Sequence, residues 1–300
     1  MTRAPVHITI CICTFKRPNL LENLLEKLKD LTTEGLFTCS IVIVDNDSNE
    51  SARSVVSHFS IRSPVPVTYC IEPRQNIALA RNKAIQNATG DFIALIDDDE
   101  LPRKDWLVNL LRACRTYNAD GALGPVKPRF ISRPPEWIIK SKFFERPEYE
   151  TGYKMHWSQT RTGNVLFKKS ILNGIRYPFH PQFGTGSEDV DFFRRMSAKG
   201  NIFIWCNEAV VYEIIPPLRC TLSYQLKLAL LRGANSLKHR GVRLQSTLKS
   251  LVAIPVYSLA LPVLFFAIRH QFMNYLVKLF DHLGRVLALI RLNPIQKRDL

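Results

Sequence analysis

The chain of 300 residues contains only 13 glycines, and none of them forms a common nucleotide-binding motif. Residues 13–18, the turn after the first predicted strand, contain no glycine, so the Gly-x-Gly-x-x-Gly motif of dinucleotide-binding proteins is absent. No Gly-Lys-Ser/Thr motif of a phosphate-binding loop occurs either. These absences argue against NAD-dependent and P-loop ATPase chemistry.

The seven cysteines include no Cys-x-x-Cys pair, and four of them lie in apolar, strand-like stretches. This distribution is typical of buried, reduced thiols, so we expect no zinc site and a reducing compartment for the folded part. The first residues lack the apolar region of a signal peptide. We therefore expect the folded part to be cytoplasmic.

Acidic residues are in the minority, 26 against 41 Lys and Arg, which gives a formal net charge of +15. Such a charge favours an anionic partner: nucleic acid, a nucleotide-type substrate, or the negatively charged surface of a membrane. Composition alone does not decide among these three. The hydrophobic content of 46% is ample for a core in a chain of this length.

Two kinds of apolar pattern alternate in the first part of the chain. Short β-branched runs, such as residues 7–15 and 40–44, predict strands, and stretches with apolar residues three or four positions apart predict the helices between them. This alternation predicts right-handed βαβ units and a mostly parallel sheet. The expected fold class is α/β, with a Rossmann-like sheet and flanking helices.

The predicted strand at residues 92–96 ends in four consecutive acids, Asp97, Asp98, Asp99 and Glu100. Open α/β sheets bind ligands at this end of their strands. Four crowded carboxylates repel one another unless a cation lies against them. Because side chains alternate along an extended chain, Asp97 and Asp99 form the natural ligand pair for Mn²⁺ or Mg²⁺. A solvated acidic turn is the alternative interpretation.

Basic residues lie at or just after the ends of other predicted strands. They are Lys16, Arg17, Arg74 and Arg81. Each alone is more often a surface charge, but their shared location indicates that they meet a diphosphate together with the metal.

A second acidic group follows a glycine-containing loop. Gly184 and Gly186 precede Glu188 and Asp189, which begin a predicted helix. Acids at a helix N-terminus commonly stabilise the helix. A carboxylate at the end of a flexible loop is also well placed to be a general base. The residues alone leave both interpretations open.

Five motifs resemble, in order and spacing, those of the inverting family 2 glycosyltransferases of the GT-A fold. They are residues 13–18 (CTFKRP), 43–46 (IVDN), 76–82 (NIALARN), 90–99 (GDFIALIDDD) and 186–191 (GSEDVD). The similarity spans roughly residues 7–215. Within the family the chain looks most like bacterial enzymes that extend lipid-linked oligosaccharides, such as the succinoglycan-type glucosyltransferases.

The resemblance implies that a sugar is transferred from a nucleotide-sugar donor to a hydroxyl of a lipid-linked or cell-surface glycan, with inversion of configuration. A UDP-sugar is the expected donor. It assigns the metal to Asp97 and Asp99, and the catalytic base to Asp189 with Glu188 in support. No nucleic-acid partner is expected. The expected donor-binding residues are Thr14, Lys16, Arg17, Asp45, Asn46, Arg81 and Asp98. This chain has Asn46 where many members have a second aspartate.

Beyond Pro217 the sequence becomes basic and apolar. Residues 218–243 are rich in Arg, Lys and Leu and predict a basic amphipathic helix. Residues 250–268 contain no charge, and a bilayer span needs about twenty residues. Pro255 and Pro262 weaken a straight transmembrane helix and favour a kinked or interfacial hairpin. A tail on the cytoplasmic face of the inner (plasma) membrane and a buried helical subdomain are both compatible with this pattern.

Together with the resemblance, these patterns predict a GT-A domain at residues 1–217 and a helical, membrane-associated tail at 218–300. Within the domain, residues 1–118 form the nucleotide-sugar half and residues 119–217 the acceptor half. The alternative is a basic, metal-dependent protein that processes nucleic acid or transfers nucleotidyl groups. The apolar tail favours the glycosyltransferase, because a lipid-linked acceptor accounts for it.

Overall fold

A computed structural model describes residues 5–238 and 243–292. His239 and Arg240 of the predicted basic helix lie outside the described residues, as does the start of the chain, where we expect no signal peptide. The chain divides into two compact units. The first comprises residues up to Lys127 together with Arg146–Gly184 and Glu188–Ile214; the second comprises Pro128–Glu145, Thr185–Ser187 and the chain from Ile215 onward. The chain thus passes into the second unit near the predicted boundary at residue 217, but two earlier segments also belong to that unit.

Strands and helices alternate along most of the chain. In order they are β1 (Val6–Thr14), α1 (Pro18–Leu28), β2 (Phe37–Asp45), α2 (Arg53–Arg62), β3 (Val67–Ile71), α3 (Ile77–Asn87), β4 (Phe92–Asp97), β5 (Glu100–Pro102), α4 (Trp106–Thr116), β6 (Gly121–Leu123), β7 (Val126–Phe130), α5 (Glu136–Ser141), β8 (Val165–Lys168), α6 (Glu188–Ala198), β9 (Phe203–Trp205), β10 (Val211–Ile215), α7 (Leu222–Ser236), α8 (Arg243–Ala267) and α9 (Arg269–Leu289).

The main sheet has seven strands in the order β3-β2-β1-β4-β8-β6-β9. The four strands β3, β2, β1 and β4 are parallel, as their alternation with helices predicts. β8 runs antiparallel to both of its neighbours, β4 and β6. A smaller sheet has the order β5-β10-β7. The predicted mixed α/β class with a mostly parallel central sheet is confirmed.

Each face of the main sheet is covered by apolar side chains. On one face, Ile8 and Ile10 of β1 pack with Leu21 and Leu24 of α1. On the other, Val42 and Val44 of β2 pack with the alanines of α3, whose small side chains let the helix lie close to the strands. Because both faces are buried, the central strands are continuously apolar, and polar residues are concentrated at the strand ends.

In the second unit, α9 packs against α5, α7 and α8. The backbones of α7 and α9 are in close contact, because a Cβ built on Gly233 would overlap the carbonyl oxygen of Asp281. A Cβ on Gly284 would likewise overlap the carbonyl oxygen of Leu230. Arg232 and Asp281 add an ion pair at 3.0 Å.

The helix α8 continues through both of its prolines, Pro255 and Pro262, and the break comes at Ile268, before α9. Its stretch Thr247–Ala267 is the one helix among the described residues long and apolar enough to cross a membrane, and little of it is buried. Leu259 is 79% exposed and Phe266 is 87% exposed. The helix therefore presents a large apolar surface that nothing in the described part of the chain covers.

Candidate active site

The ends of β1 and β4 bring a hydroxyl and a cation to the acidic cluster. The hydroxyl of Thr14 donates to Oδ2 of Asp98 at 2.7 Å. Arg17, in the turn after β1, donates to Asp98 at 3.2 Å and to Asp99 at 3.3 Å. Four of the residues expected at the donor and metal site therefore lie next to one another: Thr14, Arg17, Asp98 and Asp99.

A second cation, Arg81 of α3, joins the cluster to α6. Its Nη2 donates to Oδ1 of Asp97 at 3.1 Å, and its Nη1 donates to Oε1 of Glu188. The Arg81 side chain is only 8% exposed, whereas that of Asp97 is 46% exposed. Although burial alone would lower the pKa of Arg81, the carboxylates of Glu188 and Asp97 raise it, so this cation remains charged.

The acids after Asp97 are buried, and their charges repel one another. Burial raises the pKa of Asp98, although Arg17 opposes the shift. Burial and then the charge of Asp98 raise the pKa of Asp99 to about 7, and burial also raises that of Glu100. Glu213 of β10 lies directly opposite Glu100 in the antiparallel ladder and raises the pKa of Glu100 further, although Arg146, which pairs with Glu213 at 2.7 Å, opposes the shift. A further cation at this strand end would stabilise the ionised cluster.

The donor set fits a hard divalent ion. Carboxylate oxygens are the ligands that Mn²⁺ and Mg²⁺ prefer, and Asp97 offers its carboxylate at the surface of the cluster. Among residues 5–238 and 243–292, no group of three or more His, Cys, Asp or Glu is arranged to hold a metal ion. Such an ion would therefore need further ligands from a bound diphosphate, as Mg²⁺ commonly does in phosphate-transfer enzymes.

The side chains of Asp45 and Asn46 are hydrogen-bonded within the protein. Asp45 accepts from the N–H groups of Asp47 and Ala52, at 3.0 and 2.8 Å, and from the hydroxyl of Tyr69 at 3.0 Å. Asn46 has three backbone partners: its Nδ2 donates to the carbonyl oxygens of Glu72 and Arg74, both at 2.7 Å, and its Oδ1 accepts from the N–H of Asn76 at 2.9 Å. The pair holds together the loops that follow β2 and β3.

Two predicted basic residues lie outside the network of Arg17 and Arg81. Lys16 is exposed in the turn after β1, with a φ of 54° and its Nζ 5.1 Å from the centroid of the Phe15 ring. Arg74 pairs with Glu72 at 3.0 Å and is 72% exposed.

The three acids that begin α6 have different partners. Glu188 is buried and pairs with Arg81. Asp191 is bonded to His180 at 3.0 Å and to Arg195 at 2.8 Å. Asp189 is partly exposed, and in the described part of the chain its carboxylate accepts one hydrogen bond, from the N–H of Val190 at 2.8 Å.

Two further residues near the site were not singled out from the sequence. Gly163 lies against the acids, because a Cβ built there would be 3.2 Å from Oδ2 of Asp97 and would overlap Glu100. Asn82 of α3 holds the segment before the glycine-containing loop at residues 184–186 through two bonds with the backbone of Phe179, at 2.6 and 2.9 Å. Asn82 lies within one of the five sequence motifs, whereas the role of Gly163 depends on long-range packing.

The central strand of the mostly parallel sheet ends in acids flanked by arginines, and open α/β sheets bind their ligands at this end. Residues 9–174 match the family Glycosyl transferase family 2, and the chain belongs to that family. The predicted family and enzyme class are confirmed. Family membership also decides against the nucleic-acid-processing alternative.

Relatives agree with this assignment. The chain is 33% identical over 234 residues to the succinoglycan biosynthesis protein ExoM of Rhizobium meliloti (strain 1021), which covers 76% of this chain and 73% of that protein. The fold resembles that of the mannosyltransferase PcManGT from Pyrobaculum calidifontis in complex with GDP-Man and Mn²⁺, with a TM-score of 0.62, 17% identity and coverage of 97% and 88% of the two chains. It also resembles S. aureus TarS 1–349 in complex with UDP, with a TM-score of 0.55, 13% identity and coverage of 95% and 91%. These likenesses confirm a GT-A-like fold.

Proposed function

We propose that this protein transfers a sugar from a nucleotide-sugar donor to a hydroxyl of a lipid-linked or cell-surface glycan. A UDP-sugar is the leading candidate for the donor. The reaction depends on Mn²⁺ or Mg²⁺ and inverts the anomeric configuration. The observation that carries the proposal is the acidic end of β4, where Arg17 and Arg81 flank carboxylates whose negative charge exceeds what two arginines neutralise.

In this proposal Asp97 and Asp99 hold the metal, which neutralises charge on the leaving diphosphate when bound. Thr14 and Arg17 keep Asp98 and Asp99 in place through their hydrogen bonds. Arg81, which stays charged, lies beside the diphosphate and fixes the orientation of Asp97. Lys16 extends the positive charge around the donor from the exposed turn after β1.

Asp45 and Asn46 form the nucleoside side of the site. Because their side chains are bonded to the surrounding loops, we propose that they act by shaping the pocket for the nucleobase of the donor. The backbone at this strand end then provides the polar contacts. Two proteins of similar fold are in complex with UDP and with GDP-Man, so the nucleobase that this protein selects is tested directly below.

Asp189 is the general base. Its carboxylate has a single hydrogen bond in the described part of the chain, which leaves it able to accept a proton from the acceptor hydroxyl. The hydroxyl oxygen attacks the anomeric carbon on the side opposite the diphosphate, so the C–O bond to the diphosphate breaks as the new glycosidic bond forms. A single displacement inverts the configuration, and the diphosphate leaves without protonation.

In the same proposal, the second unit holds the enzyme at the cytoplasmic face of the inner membrane. The support is the exposed apolar face of α8, which includes Leu259 and Phe266. The net charge of +15 adds attraction to anionic lipid. A lipid-linked acceptor would be presented at the same surface.

The test is a panel of UDP-glucose, UDP-galactose, UDP-glucuronic acid and GDP-mannose, each with Mn²⁺, Mg²⁺ or EDTA. We expect one donor to raise the Tm and to release its nucleoside diphosphate only with the metal present. Sugar transfer is then measured with a lipid extract as acceptor. Equal stabilisation by every donor in EDTA would contradict the metal assignment, and no turnover with any donor and acceptor would contradict the function.

A further inference from the structure

The segment Thr185–Ser187 lies just before the candidate base Asp189 in the sequence. It belongs to the second compact unit and is hydrogen-bonded there to the end of α7. Nδ2 of Asn235 donates to the carbonyl oxygen of Thr185 at 3.1 Å, and Oδ1 of Asn235 accepts from the Thr185 hydroxyl at 2.9 Å. Nζ of Lys238 donates to the same hydroxyl oxygen at 2.7 Å. Asn235 is only 5% exposed, while Thr185 and Lys238 are half-buried, so these bonds are partly shielded from water.

The backbone of this segment has an unusual conformation. Gly186 has a φ of 131°, and Ser187, which carries a side chain, has a φ of 72°. Non-glycine residues rarely adopt such angles, and they keep them only where the surroundings hold them. A Cβ built on Gly186 would lie 3.1 Å from Nδ2 of Asn235, so the amide also packs against this glycine.

Glu188 and Asp189 follow this segment directly in the sequence. The direction in which the chain leaves Ser187 therefore sets where the first turn of α6 begins. We propose that Asn235 is a positioning residue for the candidate base Asp189, acting through its two bonds to Thr185, with Lys238 in support. The proposal rests on the proposed function, because it takes Asp189 as the base.

A purely structural role for Asn235 is the competing explanation, and α7 offers a matched control. Gln225 is 3% exposed on the same helix, and its Nε2 donates to the carbonyl oxygen of Arg219 at 2.7 Å. Asn235→Asp and Gln225→Glu each replace a buried amide donor by a carboxylate oxygen facing a carbonyl oxygen. Both should lower the Tm, but only Asn235→Asp alters the segment before Asp189.

Thr185 provides a second pair of variants. Thr185→Val removes the hydroxyl at nearly constant shape, whereas Thr185→Ser keeps it. If positioning depends on these bonds, Thr185→Ser rescues what Thr185→Val loses.

The experiment measures kcat and KM for the donor that the panel identifies, together with amide hydrogen exchange over residues 184–189 in the protein without ligand. We expect Asn235→Asp and Thr185→Val to lower kcat by about tenfold to a hundredfold. In both variants the donor KM should stay within about twofold, and exchange in this segment should be faster. Gln225→Glu and Thr185→Ser should retain the wild-type kcat and exchange.

Positioning by Asn235 is overturned if Asn235→Asp loses no more kcat than Gln225→Glu, or if exchange over residues 184–189 is unchanged. The wild-type protein distinguishes this outcome from failure of the proposed function. If wild type transfers no sugar from any donor, the proposed function fails, and the exchange measurement alone then decides whether Asn235 holds the segment.

Discussion

Arg81 and Glu188 form a buried ion pair, and through it the helix α3 is bonded to the first residue of α6. Removing one partner of such a pair leaves an uncompensated charge in a buried place. Asp191, three positions further on, is bonded to His180 and Arg195. Two of the three acids at the start of α6 are thus engaged with cationic partners, which leaves Asp189 as the strongest candidate for proton transfer.

Asp189→Asn should lower the single-turnover rate of sugar transfer by about a hundred- to ten-thousandfold, because general-base assistance is typically worth that much. Nucleotide affinity should be nearly unchanged. Glu188→Gln should have a smaller effect on the rate and a larger one on the Tm, because Arg81 loses the buried one of its two charged partners. Both variants are measured with donor and acceptor saturating. If Glu188→Gln loses the chemistry and Asp189→Asn keeps it, the base is Glu188; if both keep it, Asp191 is the next candidate.

Asp99→Asn should abolish the stabilisation that a nucleoside diphosphate gives in the presence of Mn²⁺, since it removes one of two proposed metal ligands. The measurement is the Tm with UDP, with and without Mn²⁺. Asp91→Asn is the control, because Asp91 lies before β4 and accepts from the backbone of His7 at 2.8 Å, away from the acidic cluster. Retained metal-dependent stabilisation in Asp99→Asn would show that Asp99 is not a ligand.

Without metal, the folded protein should lose stability as the pH rises from about 4 to about 7. The pKa of Asp99 is raised from 3.8 to about 7. Between these values the folded state holds a proton that the unfolded state has released, so the free energy of unfolding falls with rising pH and levels off above 7. The check is urea unfolding in EDTA at several pH values, for wild type and Asp99→Asn. An identical pH dependence in both would rule out Asp99 as its source.

Leu259→Glu combined with Phe266→Glu should release the protein from vesicles that contain anionic phospholipid. Burying each of these side chains is worth about 2 kcal/mol, so the double change should weaken binding by more than tenfold. Ile61→Glu is the control, because Ile61 is 85% exposed in the first unit. The measurement is flotation with vesicles at low salt. Equal flotation of all three proteins would argue against α8 as the membrane contact.

Gly233→Ala should destabilise the second unit by about 1–3 kcal/mol, because the added methyl group overlaps the backbone of Asp281. Whether the free energy of unfolding falls or rises distinguishes the two possible environments of residue 233. In an open helix position, alanine in place of glycine would instead stabilise by about 1 kcal/mol. Thermal unfolding therefore distinguishes close contact between α7 and α9 from a looser arrangement.

The first four strands and the helices between them could be predicted from the sequence, because their signals are local. The apolar runs of β1 and β4 and the leucine stripe of α1 each lie within one element. The meeting of Arg17 with the acids after β4 followed from the same reasoning, since parallel strands deliver their ends to one edge, whereas Thr14 was expected near the site only from the family resemblance.

Other features were not predictable, because they depend on residues far apart in the sequence. No periodicity indicates that β8 runs antiparallel between β4 and β6, or that Glu213 lies opposite Glu100. The bonds of Asn46 to three backbone groups arise from where two separate loops meet. The helix α8 continues through both of its prolines to Ala267, which the residue types alone do not indicate.

The position of β8 in the sheet has a consequence for synthesis on the ribosome. β1 to β4 emerge first and form consecutive βαβ units, so they can pair early. β8, the strand that covers the outer edge of β4, comes much later in the chain. At typical elongation rates this delay is on the order of ten seconds or less, during which an apolar strand edge stays exposed. We expect nascent chains stalled between β4 and β8 to be the form of this protein most prone to aggregation and most dependent on chaperones.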